Sequence, residues 1–398
     1  MNDPTRAPHQ PRQSEHPGGS ASLAPFEPTI GVEEEFFLVD AGTRRASARA
    51  QDILESGRGD PGNGGKLCAE ITRFQVEAVS PVCRTGAELY DCLAHSRRKL
   101  AGAADDRGLA VTATGTAVLG EVGAPPITDG TRYRAIAEQF GALRDAHAVC
   151  GCHIHVGITD RETALGVVNQ LRGWLPCLLA LNANSPFIGG RDTGHASWRT
   201  VTWARLPSAG PPPWLSSMAE YEQAVSEMLA SGAILDRGMV YWDVRLSAHV
   251  PTVEMRIGDA AATAEEAVLT ALLVRGLAAV ALDRIAMGEP PPIPGDRMLR
   301  LAIWRAAYDG LEGYTLDPVS GELATARNMV WRLLDVAAHG LSAPDQDLAQ
   351  RLLARVLAAG SGAYRQRAAY ARRGRISDVV DAIARQTRYG LVAVEEHG

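Results

Sequence analysis

Apolar and polar positions alternate with a period of two in four stretches of this chain. In GVEEEFF (31–37), Glu33 and Glu35 fall on one side and Val32, Glu34 and Phe36 on the other. In FQVEAV (74–79), Gln75 and Glu77 oppose Val76 and Ala78, with Glu70 one strand-length upstream. In CHIHV (152–156), His153 and His155 oppose Ile154 and Val156. In TVEMRIGD (252–259), Glu254 and Arg256 oppose Val253, Met255 and Ile257. Successive side chains of a strand point to opposite faces, so each stretch reads as a strand with one polar and one apolar face.

The intervening sequence sets the order of elements. Strands are expected over 29–40, over one or two segments within 67–83, over 109–118, and as strand, turn, strand over 241–260. Apolar residues at helical spacing predict helices over 87–107, 131–150, 160–183 and 216–231, then a helical region from 262 to 388 with breaks at 289–295 and 309–320. Residues 184–215, rich in Gly, Pro and Arg, read as a loop. The most apolar run, AVLTALLVRGLAAVAL (267–282), is short for a bilayer and carries Arg275 at its middle, so it is expected to be a buried helix. With no repeat and no linker, residues 29–390 are expected to form one α+β domain. Its antiparallel sheet would be backed and flanked by helices. Residues 1–28, rich in Pro, Ser, Gly and His without an apolar signal segment, are expected to be a disordered tail.

Composition narrows the function. The 398 residues are 46% hydrophobic and 22% charged, with a net charge of −6. No global basic field is available for nucleic acid or an anionic membrane, so neither is expected as a partner. The six cysteines form no CxxC pair and fit a reduced, cytoplasmic compartment; Cys150-Gly-Cys152 lacks a second cluster to complete a metal site.

The polar faces of the strands are chemically biased. They hold five carboxylates (Glu33, Glu35, Glu70, Glu77, Glu254), two histidines, Gln75 and Arg256. Half-exposed antiparallel sheets commonly alternate, and any one strand alone is unremarkable. Together, the acids would repel one another unless cations sat between them, and oxygen donors suit magnesium or manganese. Arg256 beside such ions would complete a clamp for a transferring phosphoryl group. There is no Walker A motif, kinase glycine loop or dinucleotide fingerprint, so a bound nucleotide would be held by metals and arginines.

The chain resembles the carboxylate–amine ligases of the glutamate–cysteine ligase type 2 family, in the glutamine synthetase-like superfamily. The resemblance runs from Gly31 to about Arg388. It is carried in order by GVEEEF (31–36), EITRFQVEAVSPVC (70–83), RYRAIAEQFG (132–141), GCHIHVG (151–157), NSPFIGGRDTGHASWR (184–199), PSAGPPP (207–213), YWDVR (241–245), TVEMRIGD (252–259), WRAAYDGL (304–311) and SGAYRQR (361–367). It implies a curved antiparallel sheet with helices packed on one side and a helical C-terminal region. It implies ATP and Mg2+ or Mn2+ as cofactors, with Glu33, Glu35, Glu70, Glu77, Glu254 and His153 as metal ligands. Arg256, Glu254 and Glu77 would be catalytic. His155, Arg191, Arg199, Arg245, Arg256, Arg365 and Arg367 would meet substrate or nucleotide, although the arginines also read as loop braces or a solvated helix face. A homodimer is the expected assembly. The implied reaction activates a carboxylate as an acyl phosphate and joins it to an amine, by default glutamate to cysteine.

Some blocks depart from the family's usual text. The chain reads GTAV (115–118) where GTHP is common, NANSPF (182–187) for SASSPF, GHASW (194–198) for GYASY and YWDVRL (241–246) for WWDVRP. These differences spare the five acids and leave the substrates open. Another acid and amine pair, a metal-dependent amide hydrolase, and a non-catalytic relative are the alternatives.

Overall fold

The computed structural model describes residues 27–391 apart from 58, 60, 121–124 and 291. The tail expected at 1–28 lies outside the described residues except for Glu27 and Pro28. Eleven strands are present among the described residues: β1 (Ile30–Asp40), β2 (Lys66–Ala69), β3 (Gln75–Val79), β4 (Leu109–Thr112), β5 (Cys152–Gly157), β6 (Phe187–Ile188), β7 (Arg191–Asp192), β8 (Val244–Leu246), β9 (Thr252–Met255), β10 (Tyr314–Leu316) and β11 (Leu323–Thr325). The main sheet is antiparallel and curved, in the order β2-β3-β1-β5-β9-β8, with β4 paired to the end of β1. Strands far apart in sequence thus lie side by side.

The alternation decides which face is buried. Val32, Phe36 and Leu38 of β1, Val76 of β3, and Ile154 and Val156 of β5 lie in the apolar core. Helices Gly86–Asp105 and Ala264–Ala286 pack on that side. Each starts at a threonine whose hydroxyl accepts from a backbone N–H three residues on, Thr85 from Glu88 and Thr263 from Glu266. Two arginines lie buried there. Arg275, in the middle of the apolar helix, pairs with Asp345 and donates to the Arg84 carbonyl at 2.7 Å. Arg97 pairs with Glu34, a buried acid on the apolar face of β1, at 2.5 Å. It also donates to the carbonyls of Ala261 at 2.7 Å and Thr387 at 3.5 Å. A buried guanidinium is tolerable when carboxylate and carbonyl partners are assembled around it in this way.

Several boundaries differ from the sequence expectation. The strand expected over 109–118 ends at Thr112, because Thr114 and Thr116 donate to the carbonyls of Asn184 (2.8 Å) and Phe187 (2.7 Å) and leave the sheet. The helix expected over 131–150 stops at Phe140; Gly141 takes a φ of 52° and a 3-10 turn follows to His147. The helix expected over 160–183 is broken at Arg172–Trp174, ahead of Pro176. The loop expected over 184–215 holds the β6–β7 hairpin and the helix Trp198–Trp203. The break at 309–320 contains β10 and leads to its partner β11.

Candidate active site

The polar faces of the four predicted strands converge on one cavity of about 160 Å3. Register explains the convergence. Glu33 of β1 sits opposite His153 of β5, Glu35 opposite Glu77 of β3, and His155 opposite Glu254 of β9. Glu70 follows directly after β2 and joins the same lining.

The acids form overlapping sets. Ligand atoms of Glu35, Glu70 and Glu77 lie within 4.8 Å of one another, as do those of Glu33, Glu77 and His153, and those of Glu33, His155 and Glu254. Glu33 is the hinge of the arrangement, 3.4 Å from His153 Nδ1 and 3.3 Å from His155 Nε2. Glu35 accepts from the Gly151 N–H at 2.6 Å. Burial, reinforced by the charge of Glu35, pushes Glu70 up to about 8. Burial and then Glu70 drive Glu77 well above the carboxylate range. Glu33 goes the other way: burial opposes its charge, and contacts to both histidines outweigh it. Carboxylates that reach for protons when crowded are a ready oxygen donor set for a hard divalent cation. His153, buried and with Nε2 free of hydrogen bonds 3.7 Å from Glu35, adds an imidazole donor. The residues present therefore fit magnesium or manganese.

Guanidinium groups line the same cavity. Arg245 forks onto Glu254 through Nε (2.9 Å) and Nη2 (3.1 Å) and donates to the carbonyls of Gly238 and Val240. Arg256 pairs with the same carboxylate and reaches His153 Nδ1 at 3.3 Å. Burial opposes the charge on Glu254, but Arg256 and Arg245 hold it ionised. Glu254 thus fixes two arginines as well as lying within reach of Glu33 and His155. Arg199 also lines the cavity.

Three expected arginines are elsewhere. Arg191 is exposed on β7. Arg365 pairs with Glu266 at 2.7 Å and Arg367 with Asp192 at 2.8 Å, and neither lines the cavity. Arg365 and Arg367 thus tie the helix Gly362–Arg373 to Glu266 and Asp192. Gln75, expected on the polar face, is buried and donates to the Val149 carbonyl at 2.7 Å, a structural contact. Conversely, Arg132, Tyr133, His147, Trp203 and Tyr241 line the cavity and were not singled out. Tyr133 and Tyr241 lie inside the blocks RYRAIAEQFG and YWDVR; Trp203 stands four residues after Arg199 on one helix face.

With this geometry in view, the comparisons with known proteins are decisive. The family model for glutamate–cysteine ligase family 2 matches residues 29–382. The chain belongs to this family. A protein of Saccharopolyspora erythraea named "Putative glutamate–cysteine ligase 2-1" is 45% identical over 363 residues, covering 90% of this chain and 94% of that protein. One of the same name from Rhodococcus jostii is 43% identical over 358 residues, covering 90% and 96%. Among solved structures, the glutamate–cysteine ligase of Francisella tularensis in complex with AMP superposes with a TM-score of 0.65 over 91% of this chain and 89% of that one; at 12% identity it shows the shared fold. As a member of glutamate–cysteine ligase family 2, the chain is an ATP-dependent carboxylate–amine ligase. Position 117, where the family's usual text has histidine, is an alanine packed beside Phe37, Cys150 and Ala260, outside the cavity lining.

Proposed function

We propose that this ligase joins L-glutamate to L-cysteine, giving gamma-glutamylcysteine, with Mg2+ or Mn2+ bound by Glu33, Glu35, Glu70, Glu77 and His153 and with Glu254 adjoining them. The observation that carries the reading is one cavity lined by four glutamates, Glu33, Glu35, Glu70 and Glu77, together with four arginines, Arg132, Arg199, Arg245 and Arg256. A divalent cation held by those acids would neutralise the phosphate oxygens of ATP. The chain's own residues do the rest. Arg256, kept charged by Glu254, faces the γ-phosphate; the substrate carboxylate attacks phosphorus, ADP leaves, and an acyl phosphate forms. The amine's lone pair then attacks the acyl carbon, the bond to the phosphate oxygen breaks, and inorganic phosphate departs with that electron pair, the nitrogen losing its extra proton. No enzyme nucleophile is required; positioning and charge neutralisation suffice.

The departures at 115–118, 194–198 and 241–246 favour a second reading, the same chemistry on a different acid and amine. All six cysteines are free, which fits work in the reducing cytoplasm, and a homodimer is the proposed assembly. The test is phosphate release from ATP with magnesium across amino acids offered singly and in pairs, with mass spectrometry of the product. Release only with glutamate and cysteine together, and a mass matching their dipeptide, supports the first reading. Release with another pair replaces the substrates. Amide cleavage without ATP overturns the ligase.

A further inference from the structure

The block NSPFIGGRDTGHASWR and the end of TVEMRIGD meet on one acid that lies outside the cavity lining. Asp259 is fully buried. Its Oδ2 accepts from the Asn184 N–H and the Ser185 hydroxyl, and its Oδ1 from the Ser197 hydroxyl, each at 2.7 Å. Both serines lead on to the short helix Trp198–Trp203 that carries Arg199. Ser185 Oγ accepts from the Arg199 N–H at 3.0 Å, and Ser197 Oγ, the cap of that helix, accepts from the Thr200 N–H at 3.3 Å. The Arg199 side chain is closely boxed. A Cβ on Gly115 would stand 2.8 Å from Asp259 Cγ and 3.0 Å from Arg199 Cβ, and one on Gly151 would stand 2.5 Å from Arg199 Nη2. The guanidinium donates to the Arg256 and Ile257 carbonyls at 3.2 and 3.5 Å. Two buried acids supply its counter-charge. Burial pushes Asp259 up, and Arg199 is the strongest influence holding it down. Burial likewise pushes Asp243 up to about 7, against Arg199 and Arg256.

We infer that Asp259 is the positioning residue for Arg199, fixing it in the cavity wall through the hydroxyls of Ser185 and Ser197. A hydroxyl has one proton. Each serine gives that proton to Asp259, which leaves its oxygen lone pairs for the helix N–H groups. A carboxylate only accepts, so it sets the direction of both hydroxyls at once. Asp243 differs: among the described residues no group hydrogen-bonds to its Oδ2, so it offers charge without direction. Arg199 in turn lines the cavity, where a guanidinium meets an anionic group of a reactant as a planar fork, and a fork works only at a fixed angle. Misplacement by about 1 Å can cost on the order of a hundredfold in rate. The inference rests on the ligase reading for its kinetic assay and on this network of bonds for the rest.

The experiment is a double-mutant cycle on phosphate release from ATP with the parent's own acid and amine. Asp259→Asn keeps the shape and removes the charge. Its amide nitrogen cannot face the Asn184 N–H, so it turns to Ser197, and that hydroxyl loses its acceptor. Arg199→Gln should lower kcat/KM roughly a hundredfold and Asp259→Asn roughly thirtyfold, both in the same constant, kcat or KM. In the double variant the second change should add no more than about twofold. Arg132→Gln is the control, a residue of the same cavity whose bonds go to Asp236: combined with Asp259→Asn, its loss should multiply in full. A crystal structure of Asp259→Asn should show the guanidinium drawn off the Arg256 carbonyl by about 1 Å or more, with the sheet unchanged. Where Asp259→Asn does not fold, Ser197→Ala takes its place in the cycle; it keeps the acid, removes one relay and should cost roughly fivefold. An acid that only holds the fold together would multiply the loss in the Arg199→Gln background as it does in the parent. That result, or an undisplaced Arg199, overturns the inference. A parent that releases no phosphate with any pair overturns the ligase reading, and the displacement of Arg199 then decides the inference alone.

Discussion

Substituting Glu35→Gln should stabilise the protein and destroy its activity. Carboxylate oxygens of Glu35, Glu70 and Glu77 lie within 4.8 Å of one another. Two unit charges at that spacing repel by about 3 kcal/mol at an effective dielectric near 20. Part of this cost is already avoided, because Glu70, driven up to about 8 by burial and then by Glu35, keeps its proton at neutral pH. Removing the Glu35 charge relieves what is left. Against that gain, the 2.6 Å hydrogen bond from Gly151 N–H weakens from charge-assisted to neutral, a loss of about 1 kcal/mol. The net expectation in EDTA at pH 8 is a gain of about 1–2 kcal/mol, read as a higher urea midpoint at unchanged slope. Magnesium should reverse the order, raising the parent's midpoint and leaving the variant's nearly where it was. ATP turnover should fall by roughly a hundredfold or more. A variant less stable than the parent without metal, or one consuming ATP at the parent's rate, would refute the account of the cluster.

Two further perturbations probe the walls of the cavity. A Cβ on Gly151 would stand 2.5 Å from Arg199 Nη2 and 3.0 Å from His153 Nε2. Gly151→Ala should therefore displace both side chains and lower ATP turnover roughly tenfold at unchanged circular dichroism, and parental kinetics would show that neither position matters. His147 is held down at about 4 by burial among Phe140, Trp203 and Tyr241. Its folded pKa lies below the unfolded 6.5, so its contribution is whole above pH 6.5 and is lost as pH falls toward 4, by about 3 kcal/mol in total. His147→Phe keeps the ring contacts without the titrating group. Its urea midpoint should drop less than the parent's between pH 6.5 and 4.5, and equal acid sensitivity would refute the assignment.

The sequence was most readable where local chemistry and geometry agree. Alternation placed Glu33, Glu35, Glu77, His153, His155 and Glu254 on polar faces, because side-chain direction in a strand depends on the strand alone. What alternation could not give was register, and register is what brings Glu35 opposite Glu77 and His155 opposite Glu254. Arginines were harder. A guanidinium reaches several ångströms, and the same residue type serves as brace or ligand according to which carboxylate lies nearby. Arg365 meets Glu266 across 99 positions, a pairing no local pattern encodes. Trp203 and Tyr241 were hidden for a related reason: they look like ordinary core residues, and the segment between them, which holds the helix Met218–Ala230, must fold back to bring their rings within 4.7 Å. Strand 109–118 was overextended because its threonines suit a sheet, while their hydroxyls bond to the 184–187 segment.

The clasp behind β1 also bears on how the enzyme is made. Arg97 ties Glu34 to the carbonyl of Thr387, and the Thr387 hydroxyl accepts from the Ala113 N–H at 2.9 Å. The strand carrying Glu33 and Glu35 is synthesised long before the helix Ile376–Tyr389, which packs on Val39 farther along that strand. A nascent polypeptide will therefore hold all five acids once Glu254 is made, and still lack the helix Ile376–Tyr389. A message cut short before that helix yields a product with every side chain of the cavity and no working enzyme.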